Sequence, residues 1–176
     1  MAEPDAGVSD PRRDGVGGEV MNSGYSLRRL GAADIEHARG LNSMFGTAFD
    51  EPGTYEGDPP SGAYLAELLG KAHVVALVAL ADEAVVGGLV AYEIDKLERA
   101  RREIYIYDLA VAEGHRRRGI ATALIERCRD IAAGRGAWVI YVQADFEDAP
   151  AVALYEKIGR REEVLHYDIE VKRPGH

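Results

Sequence analysis

Cysteine is nearly absent from this chain. Among 176 residues only Cys128 is one, which excludes an internal disulfide framework and a cysteine-rich metal site. Long apolar runs are absent as well. The longest strictly apolar stretch is Val74–Ala81, eight residues, where a membrane-spanning helix needs about 20. The opening MAEPDAGVSDPRRDG contains no apolar h-region, so a signal peptide is not expected and the cytoplasm is the expected location. Positive charge is in deficit: 21 Lys plus Arg against 30 Asp plus Glu give a formal net charge of -9. That argues against a nucleic-acid grip spread over the surface and suits the steering of a cationic small molecule. His37, His73, His115, His166 and His176 show no metal-ligand spacing, so no metal is expected. The apolar fraction of 47% and charged fraction of 29% are those of an ordinary globular protein, and the length predicts one domain.

Residues 1–24 hold five glycines, two prolines and seven apolar residues without a period. Such a composition cannot offset ordering entropy and predicts a disordered tail, with a single domain over 25–176. A short strand is expected at YSLRRL. A helix follows, with Ile35, Ala38, Leu41 and Phe45 on one face. The loop FDEPGTYEGDPPSG carries Asp50, Glu51, Glu56 and Asp58, and Ser61 is placed to cap a short helix closed by Gly70. Two β-branched runs around the turn ADEA predict a hairpin. EIYIYDLAV reads as the strongest strand. It is followed by the basic turn EGHRRRG, a helix with Ile120, Leu124, Ile125 and Cys128 on one face, the strand AWVIYVQA, a helix over 150–158, and a closing strand EVLHYDIEV. The class is mixed α/β.

The chemistry concentrates at the strand, basic turn and helix IYIYDLAVAEGHRRRGIATALI. A helix start offers free N–H groups and the positive end of the helix dipole. Gly119 would let backbone approach an oxyanion, and Arg116, Arg117 and Arg118 add charge-assisted donors. Three arginines there oppose the dipole of their own helix, which calls for an anion. Neither G-x-x-x-x-G-K-S/T nor G-x-G-x-x-G is present, so this is neither a P-loop nor the dinucleotide fingerprint. Taken alone, R-x-x-G-x-A would be read as a solvated basic turn.

Arg116-x-x-Gly119-x-Ala121 after a strand resembles motif A of the GNAT superfamily of acetyl-CoA-dependent N-acetyltransferases, and Ala151-Val-Ala-Leu-Tyr155 through Gly159 resembles its second half. Both motifs in this order, over roughly 25–171, carry the resemblance. Asp148 stands where that family usually has Asn, and Gly159-Arg160 where it has Gly-Phe. EIYIYDLAV, HRRRGIATALI, YVQADFEDAPAVALY and IGRREEVLHYDIE further resemble the aminoglycoside 3-N-acetyltransferases of the gentamicin-modifying type. The implied fold is the GNAT acyl-CoA N-acyltransferase fold, a mixed, mostly antiparallel sheet of six to seven strands flanked by about four helices.

The resemblance implies acetyl-CoA as co-substrate, without a metal. Backbone of Leu109, Ala110 and Val111, on a strand that splays from its neighbour, would pair with pantetheine. Arg116, Arg117, Arg118, Gly119, Ile120, Ala121 and Thr122 would hold the pyrophosphate, with Asp148 and Ala151 completing the cofactor-binding set. Tyr155 would protonate the leaving thiolate; outside its motif it reads as a packed aromatic. Asp108 alternates with Ile104 and Ile106 on a face that reads as buried, and an unpaired buried carboxylate wants a cation. The resemblance makes it the acceptor-amine contact and base; the alternative is a salt bridge to Arg101 or Arg102. Asp145, Glu147 and Asp168, with the 50–58 loop, would form an acidic pocket, and Tyr107 would line it. Cys128, on the apolar helix face, reads as core, and direct transfer in a ternary complex is expected. The partner is then a polycationic aminoglycoside acetylated at its 3-amino group, with no nucleic acid or membrane partner and with room for a homodimer. The alternatives are a polyamine or protein N-acetyltransferase of the same fold, or a non-catalytic acyl-CoA-binding module.

Overall fold

In the computed structural model, which describes residues 20–22 and 24–171, the sheet order follows chain order throughout: β1 Val20–Asn22, β2 Tyr25–Arg29, β3 Val74–Ala81, β4 Ala84–Asp95, β5 Arg102–Val111 and β6 Ala137–Val142. Neighbours from β1 to β5 are antiparallel, and β5 and β6 are parallel. The parallel step needs a crossover, which α4, Ile120–Gly134, supplies. Three helices fall between β2 and β3: α1 Ile35–Ala48, α2 Pro52–Glu56 and α3 Gly62–Leu69. Ser61 caps α3 as expected, its hydroxyl accepting from the Tyr64 N–H at 3.2 Å.

The eight-residue apolar run becomes β3 because both of its faces are covered. Ala76, Val78 and Leu80 join Leu41, Phe45 and Leu65 in one core cluster under α1 and α3. The alternate residues face α4, whose Ile120, Leu124, Ile125 and Cys128 are buried. Cys128 is therefore core, and burial pushes its thiol up to about 11, far from a nucleophile's range. Gly88, in β4, lies where α1 approaches the sheet. A Cβ built there would stand 2.1 Å from Leu41 Cδ1 and 3.2 Å from the Leu77 carbonyl oxygen. Gly88→Ala is expected to destabilise the fold by about 1–3 kcal/mol through overpacking, read as a lowered midpoint in urea unfolding.

Three expectations meet a different arrangement. The predicted tail lies outside the described residues except at its end, where Val20–Asn22 pairs with β2. The acidic loop contains a helical turn, α2, begun by Pro52 at its first turn. The closing segment 163–171 is not a strand. Its alternation fits a sheet face, but no strand among the described residues pairs with it, and Val164, Leu165, Tyr167, Ile169 and Val171 are 70–87% exposed. β propensity is realised through cross-strand packing, which this segment lacks among the described residues. The sheet thus has six strands, β1 only three residues long.

The chain also divides into two compact units, the second being Ala144–His176. Its described part is built on α5, Ala149–Ile158, with the Arg161 guanidinium 5.4 Å from the centre of the Phe146 ring.

Candidate active site

The strand that leads into the basic turn carries an irregularity. Val90 of β4 opposes Asp108, but the next residue, Ala91, opposes Ile106, so Tyr107 is an extra residue in β5. Strictly alternating side chains would put Asp108 beside Ile104 and Ile106. The bulge reverses that. Ile106 stays fully buried on one face, whereas Asp108 shares the face of its partner Val90, which packs on the α1 cluster. Tyr92 and Tyr105, paired with each other two residues on, lie on that same face. The expected alternation of Asp108 with the two isoleucines is therefore corrected, while its partial burial remains.

Neither Arg101 nor Arg102 is the partner of Asp108. Arg101 lies against Glu98 and Glu103, and Arg102 against Glu93 and Asp95. Asp108 instead accepts a hydrogen bond at 3.0 Å from the Tyr55 hydroxyl of α2. Burial raises the Asp108 carboxyl above its ordinary value, the Tyr55 hydrogen bond pulls it down, and the Glu51 carboxylate raises it further. Burial also pushes Tyr55, Tyr92 and Tyr105 upward, with Asp108 adding to each. Around the carboxylate stands a tyrosine wall: Tyr107 meets Tyr92 and Tyr105 edge-on at 6.0 and 5.7 Å, and Tyr105 stacks on Tyr141 at 5.0 Å. Tyr107 is 64% exposed, open to a ligand.

Two residues before Asp108 the sheet begins to open. Pairing of β5 with β6 ends at Ile106 and Val142. Ala112 N–H donates to the Val86 carbonyl, which makes Gly87 and Val111 a pair that exchanges no hydrogen bonds. Val111 and Leu109 therefore direct their N–H and C=O groups away from β4, past the end of β6. Of the three residues expected to offer backbone, Ala110 instead belongs to the ladder with Gly88. The Val111 carbonyl accepts from Arg116 Nε at 3.0 Å.

The basic turn follows. Arg117 and Gly119 both have left-handed backbone, φ 61° and 80°. A Cβ at Gly119 would meet nothing within 4 Å, and no side chain caps α4. The first intrahelical bond runs from Ala123 N–H to the Gly119 carbonyl. The N–H groups of Ile120, Ala121 and Thr122 thus have no acceptor within the helix. Arg118 lies 3.0 Å from His115 Nδ1. An open glycine, three free N–H groups and exposed arginines make a fitting seat for a diphosphate. A cavity of about 390 Å³ adjoins it, walled by Met44, Val85, Ala112 and Arg116. A second, of about 430 Å³, is walled by Arg39, Tyr55, Glu56 and Pro59, and Ser43 lines both. One cavity therefore reaches the basic turn, and its neighbour reaches the tyrosine that holds Asp108.

The second unit carries the remaining expected residues. Asp148 caps α5, its Oδ1 accepting from Ala151 N–H at 3.1 Å; the carboxylate and that N–H are thus engaged with each other. Burial, with Asp148 nearby, pushes the Tyr155 hydroxyl up to about 12. Asp145 and Glu147 are exposed, and Asp168 lies 3.2 Å from His166. Among the described residues, no group of His, Cys, Asp or Glu could hold a metal, and no helix is long and apolar enough to cross a membrane. Tyr55 is the site residue that sequence reading missed. It sits among loop residues without a period, and its contact spans 53 positions.

Residues 41–159 match the acetyltransferase (GNAT) family. Among solved structures, the chain is similar to an aminoglycoside acetyltransferase, HMB0005, from an uncultured soil metagenomic sample. The identity is 52% over 86% of this chain and all of that one, with TM-score 0.83. It is also similar to the aminoglycoside acetyltransferase meta-AAC0020, from an uncultured soil metagenomic sample and in complex with sisomicin: 27% identity, 85% of this chain and 98% of that one, TM-score 0.79. A curated N-alpha-acetyltransferase of Saccharolobus solfataricus is 34% identical over 88 residues, 46% of this chain, and the match spans about half, 53%, of that protein.

Proposed function

Because this chain belongs to the GNAT family of acetyltransferases, we propose that it moves acetyl from acetyl-CoA to an amine of an aminoglycoside, the 3-amino group of the deoxystreptamine ring, by direct attack in a ternary complex. The observation that carries this reading is Asp108, a half-buried carboxylate that has no cationic partner among the described residues, directly before the backbone opening at Leu109 and Val111. The 52% identity to a soil aminoglycoside acetyltransferase over that protein's whole length supports the substrate class.

In this mechanism the pyrophosphate of acetyl-CoA rests on the N–H groups of Ile120, Ala121 and Thr122, with Arg116, Arg117 and Arg118 around it. Backbone at Leu109 and Val111 pairs with pantetheine, and one N–H there holds the thioester oxyanion. Asp108 draws in the ammonium and accepts its proton, directly or through water. Its raised carboxyl narrows the gap to an amine. Nitrogen attacks the acetyl carbon, the C–S bond breaks, and the thiolate leaves, neutralised by the second proton that the nitrogen sheds as the amide forms. Tyr155 is assigned to that sulfur. With its hydroxyl at about 12, against about 8.5 for an ordinary thiol, full transfer to a free thiolate runs uphill. Tyr155 therefore acts first as a hydrogen-bond donor while charge builds on sulfur. Tyr155→Phe is expected to lower kcat by about 10- to 1000-fold, towards the lower end of what one general acid supplies, with acetyl-CoA affinity little changed. Single-turnover kinetics would check this, and a wild-type chemical step would return Tyr155 to a packing role.

The test of the substrate is a thiol-release assay against aminoglycosides, polyamines and basic peptides, with the acetylated position read by NMR of the product. Turnover of gentamicin at the 3-amino group is the expected result. Turnover of spermidine or a peptide alone would keep the acetyltransferase and remove this substrate.

A further inference from the structure

The Tyr55–Asp108 hydrogen bond joins two parts of the chain that the mechanism treats separately. Asp108 lies at the bulge of β5, and Tyr55 lies on α2, in the acidic segment with Asp50, Glu51, Glu56 and Asp58. The Tyr55 ring is fixed independently of its hydroxyl, standing 5.9 Å from Phe45 and 5.8 Å from Phe49. The same residue forms a wall of the 430 Å³ cavity. A carboxylate has two oxygens, and one is taken by a donor held in place by aromatic packing.

Resting on the role given to Asp108 above, we propose that Tyr55 is a positioning residue for acetyl transfer: its hydroxyl holds one oxygen of Asp108, so that the other meets the acceptor amine. The phenol carries no charge when bonded this way, so the carboxylate keeps its attraction for a cation. An arginine at that position would have cancelled it. The contact also ties α2, and the acids beside it, to the strand where transfer occurs.

The groups facing Asp108 set the sign of the pH effect. They are Tyr55 on α2, Glu51 just before it, Tyr92 on β4 with Tyr64 of α3 nearby, and Tyr105 and Tyr107 on β5. Of these, only the Tyr55 hydrogen bond holds the Asp108 carboxyl down, while burial and Glu51 raise it. Without the hydroxyl, Asp108 takes up a proton at higher pH.

The experiment compares Tyr55→Phe in the full chain with wild type, in the native background and in Asp108→Asn, with gentamicin as acceptor. In the native background kcat/KM for gentamicin should fall about 10- to 100-fold, as expected for a hydrogen bond to a charged group. The KM for acetyl-CoA should stay within about two-fold. The acid limb of the kcat/KM profile should move to higher pH, since the amine's own titration is common to both proteins. In Asp108→Asn the same change should cost less than about two-fold, because the partner charge is already gone. An unmoved acid limb, or equal losses in both backgrounds, would make Tyr55 a packing residue and overturn the proposal. If Asp108→Asn alone keeps near-wild-type activity, the role of Asp108 falls and the proposal with it. If Asp108→Asn is impaired and Tyr55→Phe is not, only the positioning role is lost.

Discussion

Replacing Gly119 by glutamate is expected to abolish acetyl-CoA binding in a protein that still folds. Gly119 has φ 80°, where an L residue is strained by about 1–2 kcal/mol. That strain is small beside a domain's total stability, and no atom lies within 4 Å of the new Cβ, so no core contact is disturbed. The carboxylate would project in front of the free N–H groups of Ile120, Ala121 and Thr122. There it acts in three ways. It occupies the seat, it repels the pyrophosphate, and it offers Arg116, Arg117 and Arg118 an internal partner at the positive end of α4. The same attraction to the helix dipole helps the variant to fold. Calorimetric titration with acetyl-CoA should show no binding, with circular dichroism unchanged. Gly119→Ala adds the strain without the charge and should bind measurably. Unchanged affinity in folded Gly119→Glu would place the cofactor seat elsewhere.

Asp108→Asn is expected to lower kcat/KM for an aminoglycoside by at least about 100-fold, roughly 2.7 kcal/mol of transition-state stabilisation. The amide keeps the shape and can still accept from Tyr55, but it has no charge to draw an ammonium and no basicity to take its proton. Acetyl-CoA affinity should be nearly unchanged, because the nearby contacts assigned to it are backbone. Stability supplies an internal check. The folded-state carboxyl is raised above its ordinary value, chiefly by burial. Folding therefore favours the protonated form, and stability is lost as pH rises through the raised value. At neutral pH the neutral asparagine should unfold no earlier than wild type, which separates lost chemistry from lost fold. In wild type, moderate salt should weaken substrate capture, since a chain of charge -9 steers a polycation over distance. Steady-state kinetics at two ionic strengths measure both effects, and activity within a few-fold of wild type would remove Asp108 from the mechanism.

Residues that act through local order were legible in the chain. Arg116 to Thr122 gather arginines and helix-start N–H groups because a strand, a glycine turn and a helix start follow one another. Each is written in consecutive residues, and helix ends expose N–H groups whatever surrounds them. The burial of Cys128 followed from helical spacing, the Ser61 cap from residue type, and the β3–β4 hairpin from two β-branched runs around a turn. What depended on a partner strand or a distant segment was not legible. Asp108 changes face because Tyr107 is unopposed in β4, and a bulge is a property of two strands in register. Tyr55 reaches Asp108 because α1 and the loop after it fold over that face, a contact no period in the sequence encodes. The segment 163–171 has a strand's alternation but is not a strand among the described residues, so its pattern alone does not make it one. Short-range geometry made the glycine turn and helix start after β5 readable from the sequence, whereas the setting of Asp108 exists only once β4, β5 and α2 are brought together.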